Sequence, residues 1–175
     1  MKSDITPTPM VLETETRTVR IPVSDGNIFT FPEGVPAFED YKQFVMYCNT
    51  DMQPFFFMKS IGVSPEISFV CIDPYLIYPD YQVRVGPADL QALNLKRGQD
   101  AFVFSFVTVR DNACDITANL QGPVVLNLKN SRGRQVICEG VQYDVRFRVW
   151  DALMQVEEEQ KLDEPQVPFS VNTRC

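Results

Sequence analysis

Histidine is absent from all 175 residues. The commonest general base near neutral pH is therefore missing, as is the commonest nitrogen ligand for a transition metal. Nucleophilic serine or cysteine paired with histidine is excluded with it. The 8 glycines stand singly, so the chain has neither a GxGxxG fingerprint nor a GxxxxGK[ST] phosphate loop. Positive charge is in deficit: 16 Lys and Arg stand against 23 Asp and Glu, a formal charge of -7. Nucleic-acid affinity comes largely from neutralising phosphates, so this balance argues against direct nucleic-acid binding; it fits a charge that simply keeps the protein soluble, and, if a charged partner exists, a basic protein. Long apolar runs are also lacking, and the polar, Thr-rich start of the chain has no signal-peptide core. The expectation is a cytoplasmic protein that engages no membrane.

The five cysteines, Cys48, Cys71, Cys114, Cys138 and Cys175, show no CxxC spacing and are odd in number. Neither a zinc site nor a complete disulfide framework is indicated. Cys71 and Cys138 lie in apolar surroundings, where a free thiol packs as a small hydrophobe. Asp73, Asp80, Asp111 and Asp115 sit in turn-like contexts that capping and solvation explain. No positioned base accompanies them, so the chain reads as a non-enzyme without cofactor or metal.

What is present is phenylalanine, 13 residues of it, and a recurrence of short alternating segments. Strands are expected at Thr18–Val23, Ile28–Phe31, Gln43–Cys48, Phe55–Ser60, Ile67–Ile72, Ala101–Val109, Val124–Leu128, Gln135–Glu139 and Tyr143–Arg148. Ser24-Asp25-Gly26-Asn27 supplies turn chemistry between the first two, and Asn130-Ser131-Arg132-Gly133 between two later ones. In Ala101–Val109, Phe102, Phe104 and Phe106 fall on one face and Val103, Ser105, Val107 and Val109 on the other. A strand apolar on both faces belongs in the middle of a structure.

A helix is expected from Pro87 towards Arg97, and a second over Trp150–Lys161. Pro74–Tyr81 (PYLIYPDY) reads as a proline-broken aromatic loop, open to two readings: core filling and protein interface. Lys129, Arg132 and Arg134 read as a solvated hairpin tip. The fold class is mainly β, a compact antiparallel barrel-like domain over residues 18–149. A flexible tail at 1–17 precedes it and an acidic extension at 150–175 follows.

The segments FPEGVPAFE (31–39), PFFFMKS (54–60), FVCIDPYLIYPDY (69–81), FVTVRD (106–111), TANLQGPVVLN (117–127) and GRQVI (133–137) resemble, in order and spacing, the FliW flagellar assembly factor family. The likeness spans about Val19 to Arg148. Ala37 stands where that pattern usually has glycine, and Gly122 where it usually has alanine. The resemblance implies a non-catalytic β-barrel that binds the translational repressor CsrA and, alternatively, flagellin. Such a protein couples flagellin translation to filament assembly, acting as a flagellin-binding chaperone and CsrA antagonist that is a monomer when free. Candidate partner contacts are Asp80, Tyr81, Arg110, Asp111, Thr117, Asn119 and Gln121. Two other classes compete: a small-ligand β-barrel with an apolar chamber, and a cysteine enzyme using Cys114, which lacks an imidazole to activate it.

Overall fold

The structure, a computed structural model, describes residues 10–12, 27–96 and 101–163. Seven strands close into a barrel: β2 (Ile28–Thr30), β3 (Gln43–Cys48), β4 (Phe56–Ser60), β5 (Ser68–Ile72), β7 (Ala101–Thr108), β9 (Val124–Asn127) and β10 (Arg132–Gln135). β2 through β5 run as antiparallel neighbours, and β5 pairs with β7. The ring closes through β7–β9, β9–β10 and a parallel contact of Arg132 with Thr30.

β7 has a divided edge. Its first half pairs with β9, whereas Val107 and Thr108 pair with β8 (Thr117–Ala118), which in turn pairs with β11 (Phe147–Arg148). A separate two-stranded ribbon joins β1 (Met10–Leu12) to β6 (Val83–Val85). Three helices accompany the strands: α1 (Pro74–Ile77), α2 (Pro87–Leu93) and α3 (Val149–Asp163).

The two faces of β7 enter two cores, as its double apolar pattern requires. Phe102 and Phe104 point into the barrel with Phe29, Phe31, Phe44, Phe56, Met58 and Leu126. Phe56 meets Phe104 edge-on at 5.5 Å, and Phe31 meets Phe44 at 5.1 Å. The edge-on geometry suits the quadrupoles of the rings. Side chains thus occupy the lumen where a small-ligand barrel would hold its chamber. Val103 points outward into a second, mostly aliphatic core with Ile72, Ile77, Val83, Val85, Leu120, Val125 and Val149. The short helices and irregular segments lie over this outer layer.

The 31–39 loop needs two unusual backbone positions. Gly34 has φ +77, and a Cβ there would lie 2.6 Å from the Glu39 Cα. Ala37 has φ 70, the left-handed region that favours glycine. Its N–H donates to Glu39 Oε1 at 2.8 Å, a bond that lowers the Glu39 pKa and fixes the turn.

Several expectations shift. Three residues of the segment read as a flexible tail, Met10–Leu12, form β1; the apolar triplet is too short to show a period. The strand expected at 18–23 and most of the turn after it lie outside the described residues. PYLIYPDY opens with α1 because the Asp73 side chain caps it, accepting from Tyr75 N at 2.9 Å, and Pro74 takes the first helical position. α2 stops at Leu93, where Asn94 turns left-handed at φ 53. The strand expected at 135–139 lies instead at 132–135, where Gly133 lets Phe31 approach so closely that a Cβ would collide with its ring. The strand read over 143–148 contracts to Phe147–Arg148. The basic hairpin is solvated at Lys129 and Arg132, which are exposed, but Arg134 is half-buried and pairs with Asp89 at 2.6 Å and Glu33 at 2.5 Å, while Arg132 donates to the Ala92 carbonyl.

Candidate functional site

Three irregular segments, 78–82, 119–122 and 138–143, are tied together by polar side chains. The Tyr81 hydroxyl donates to the Leu120 carbonyl at 2.5 Å and lies 3.7 Å from Cys138 Sγ. Gln121 donates from Nε2 to the Cys138 carbonyl at 2.9 Å, while its Oε1 accepts from Tyr143 N at 2.6 Å. The Tyr143 hydroxyl accepts from Gln82 N at 3.0 Å. Asn119 Oδ1 accepts from Gly122 N at 2.9 Å, and Gln135 Nε2 donates to the Gly122 carbonyl at 2.8 Å. A methyl group at Gly122 would press on both amides, lying 2.9 Å from Asn119 Nδ2. The glycine departure therefore has a local reason.

This framework presents aromatic rings beside carboxylates. Tyr78 is 37 % exposed and packs edge-on against Tyr143 at 5.6 Å and Phe147 at 5.9 Å. Leu76 in α1 and Val145 just ahead of β11 are also exposed. Asp80 follows Tyr78 on one loop, Asp144 follows Tyr143 on the other, and both are exposed. An aromatic patch with an acidic rim is suited to a basic, partly apolar protein surface.

The seven candidate contacts divide by this geometry. Asp80, Arg110 and Asp111 are exposed, and Thr117 is half-buried. Tyr81 is only 3 % exposed, with its ring 4.7 Å from that of Tyr143. It lies beneath the surface ring of Tyr78, 6.4 Å from it between ring centroids. Asn119 and Gln121, half-buried, spend their amides on the loop framework. Sequence reasoning missed Tyr78 as an individual exposed ring and Tyr143 as the half-buried ring beside it. The second was absorbed into an expected strand, although its spacing from Phe147 was visible.

Arg110 and Thr117 line one open surface depression together with Asp115, Arg146 and Arg148. Arg148 is held by Asp151 at 2.7 Å, a bond that raises its pKa. Arg146 and Arg148 flank Phe147 in the chain, so their side chains and that ring serve different surfaces.

Burial shifts the titratable groups of the core towards their neutral forms. Burial pushes the Tyr81 phenol well up, and does the same to the Cys71 and Cys138 thiols. A thiol without thiolate character is a poor nucleophile. Cys114 lies half-buried in a 3-10 turn at Ala113–Asp115. Among the described residues, no three His, Cys, Asp or Glu side chains are grouped to hold a metal, and no helix is long and apolar enough to cross a membrane.

The FliW protein family profile matches residues 13–149. Among curated relatives, the flagellar assembly factor FliW of Treponema pallidum is 35% identical over 139 residues, covering 79% of this chain and 91% of its own. That of Moorella thermoacetica is 36% identical over 132 residues, covering 73% and 81%. That of Alkaliphilus metalliredigens is 28% identical over 157 residues, covering 89% and 96%. A crystal structure of the flagellar assembly factor FliW superposes with a TM-score of 0.65 at 32% identity, covering 74% of this chain and 90% of that one. The closed barrel, its outer layer and a match over most of the chain agree, and the chain belongs to the FliW family of flagellar assembly factors.

Proposed function

We propose that the chain is a cytoplasmic, non-catalytic antagonist of the translational repressor CsrA that also binds flagellin, so that flagellin translation follows filament assembly. The observation that carries this reading is family membership extending over residues 13–149. Charge supports it. A repressor that grips RNA carries a basic surface, and this chain is acidic overall with exposed Asp80 and Asp144 beside Tyr78. Asp80, Arg110, Asp111 and Thr117 are the proposed direct contacts, with Tyr81, Asn119 and Gln121 holding the loops that carry them. Exchange between two partners needs only a difference of affinities, and no chemistry.

Isothermal titration of the purified chain against the CsrA of the same organism tests the reading. Heat of binding at micromolar concentrations is expected, and prior saturation with flagellin should abolish it. A flat titration with both partners would overturn the proposal.

A further inference from the structure

The depression beside β11 has the opposite chemistry to the acidic aromatic patch. Three arginines, Arg110, Arg146 and Arg148, line it with Thr117. These residues come from three separate stretches of chain: the segment after β7, the strand β8, and the turn and strand around Phe147. Among the described residues, Arg148 alone of the three has an ion-pair partner, Asp151. The side chains of Arg110 and Arg146 meet no hydrogen-bond acceptor or carboxylate among the described residues. By contrast, Arg134 is paired twice and Arg132 reaches a carbonyl. Two unpaired, planar fork donors beside a third that Asp151 holds in place form a receptor for oxyanions, and carboxylate matches the fork best among protein groups.

Asp115 also lines the depression, and the whole chain carries a charge of -7. A long polyanion would be repelled by such a surround, whereas a short run of carboxylates can reach the three arginines alone. We propose that this depression is a second docking site, which takes an acidic segment of a protein partner through Arg110, Arg146 and Arg148. The site shares Arg110 and Thr117 with the contacts proposed above, but Arg146 and Arg148 set it apart from the acidic aromatic patch around Tyr78. The molecule then offers two surfaces of opposite sign on the two sides of Phe147, whose ring packs on Tyr78 while its neighbours Arg146 and Arg148 line the depression.

Fluorescence anisotropy with a labelled octaglutamate peptide at low salt tests the site, with labelled octalysine, inorganic phosphate and a short single-stranded RNA as parallel probes. Octaglutamate should bind despite its like net charge. The double substitution Arg110→Glu and Arg146→Glu should weaken it by about tenfold or more, because each lost charge-assisted contact is replaced by repulsion. Both side chains are exposed and unpaired, so the variant should keep the parent circular dichroism spectrum. Arg110→Lys, which keeps the charge but not the fork, should weaken binding less. The heat of CsrA binding should survive Arg146→Glu alone, at a residue outside the contacts proposed above, which separates this site from the acidic patch. Octaglutamate that fails to bind, or binds equally to the Glu variant, overturns the proposal. So does tighter binding of RNA, or phosphate alone displacing nothing at millimolar concentration while the peptide binds elsewhere.

Discussion

The barrel lumen and the outer layer are built from the same strand by different means. The lumen is largely aromatic and walled mostly by antiparallel neighbours, so much of its packing is ring against ring. The outer layer is aliphatic and covers its irregular segments with buried polar bonds from Tyr81, Gln121 and Asn127. The lumen therefore rests on shape and apolar burial, and the outer layer on satisfied hydrogen bonds. A barrel has no edge to protect, whereas loops laid on its surface must find partners for every backbone group they bury.

The sharpest way to break that contrast is Phe104→Ala. The ring is fully buried against Phe56 and Phe106, and its removal should cost about 4 kcal/mol, read as a fall in the urea midpoint. A cost under about 1 kcal/mol would mean that the lumen is loosely filled.

Tyr81→Phe keeps the ring in the outer layer and strands the Leu120 carbonyl. A loss of about 1–3 kcal/mol is expected, with hydrogen-exchange protection falling first at 119–122 and 138–143. Equal early loss of protection in β3 and β4 would show that the two regions do not open separately.

Ala37→Gly acts on the loop that seals the lumen. Relief of the positive φ should stabilise by about 0.5–1 kcal/mol, the left-handed penalty less the added freedom of glycine in the unfolded chain. A loss of stability would show that the Ala37 methyl packs more than it strains.

The smallest effect is a slope with pH. Asp73 is 3 % exposed, one carboxylate oxygen caps α1 and the other is unpartnered, and burial raises its pKa. A carboxyl with a higher pKa in the folded state holds its proton longer there than in the unfolded chain. Stability from this group is therefore complete below the unfolded pKa, and is lost as pH climbs through the raised folded value. Asp73→Asn, which keeps the cap, should remove that loss, so the gap between variant and parent should widen over this window and then level off. A gap independent of pH would assign Asp73 no titration in the fold.

The lumen was legible in the sequence because alternation survives in β4 and most of β3, and Phe102, Phe104 and Phe106 of the doubly apolar β7 could be placed on one face from period alone. β10 was not, since Arg-Gly-Arg-Gln has no apolar alternation and owes its place to the ring of Phe31 over Gly133. α1 could have been read: Asp73-Pro74 is a capping signature hidden by the proline at 79. The candidate site was half legible. Residue types marked the right loops, but whether a tyrosine is exposed or buried is decided by its hydroxyl's partner, and Tyr81 found one 39 residues away. The grouping of Arg110 with Arg146 and Arg148 depends on strand pairing across β8, which no local pattern reports.

β7 lends one side to β9 and then, a few residues later, to β8. It works as a hinge pin driven through two leaves: neither can be lifted off without drawing on the other. A partner that seizes the loops of the outer layer would therefore pull, through this one strand, on the wall of the barrel behind them.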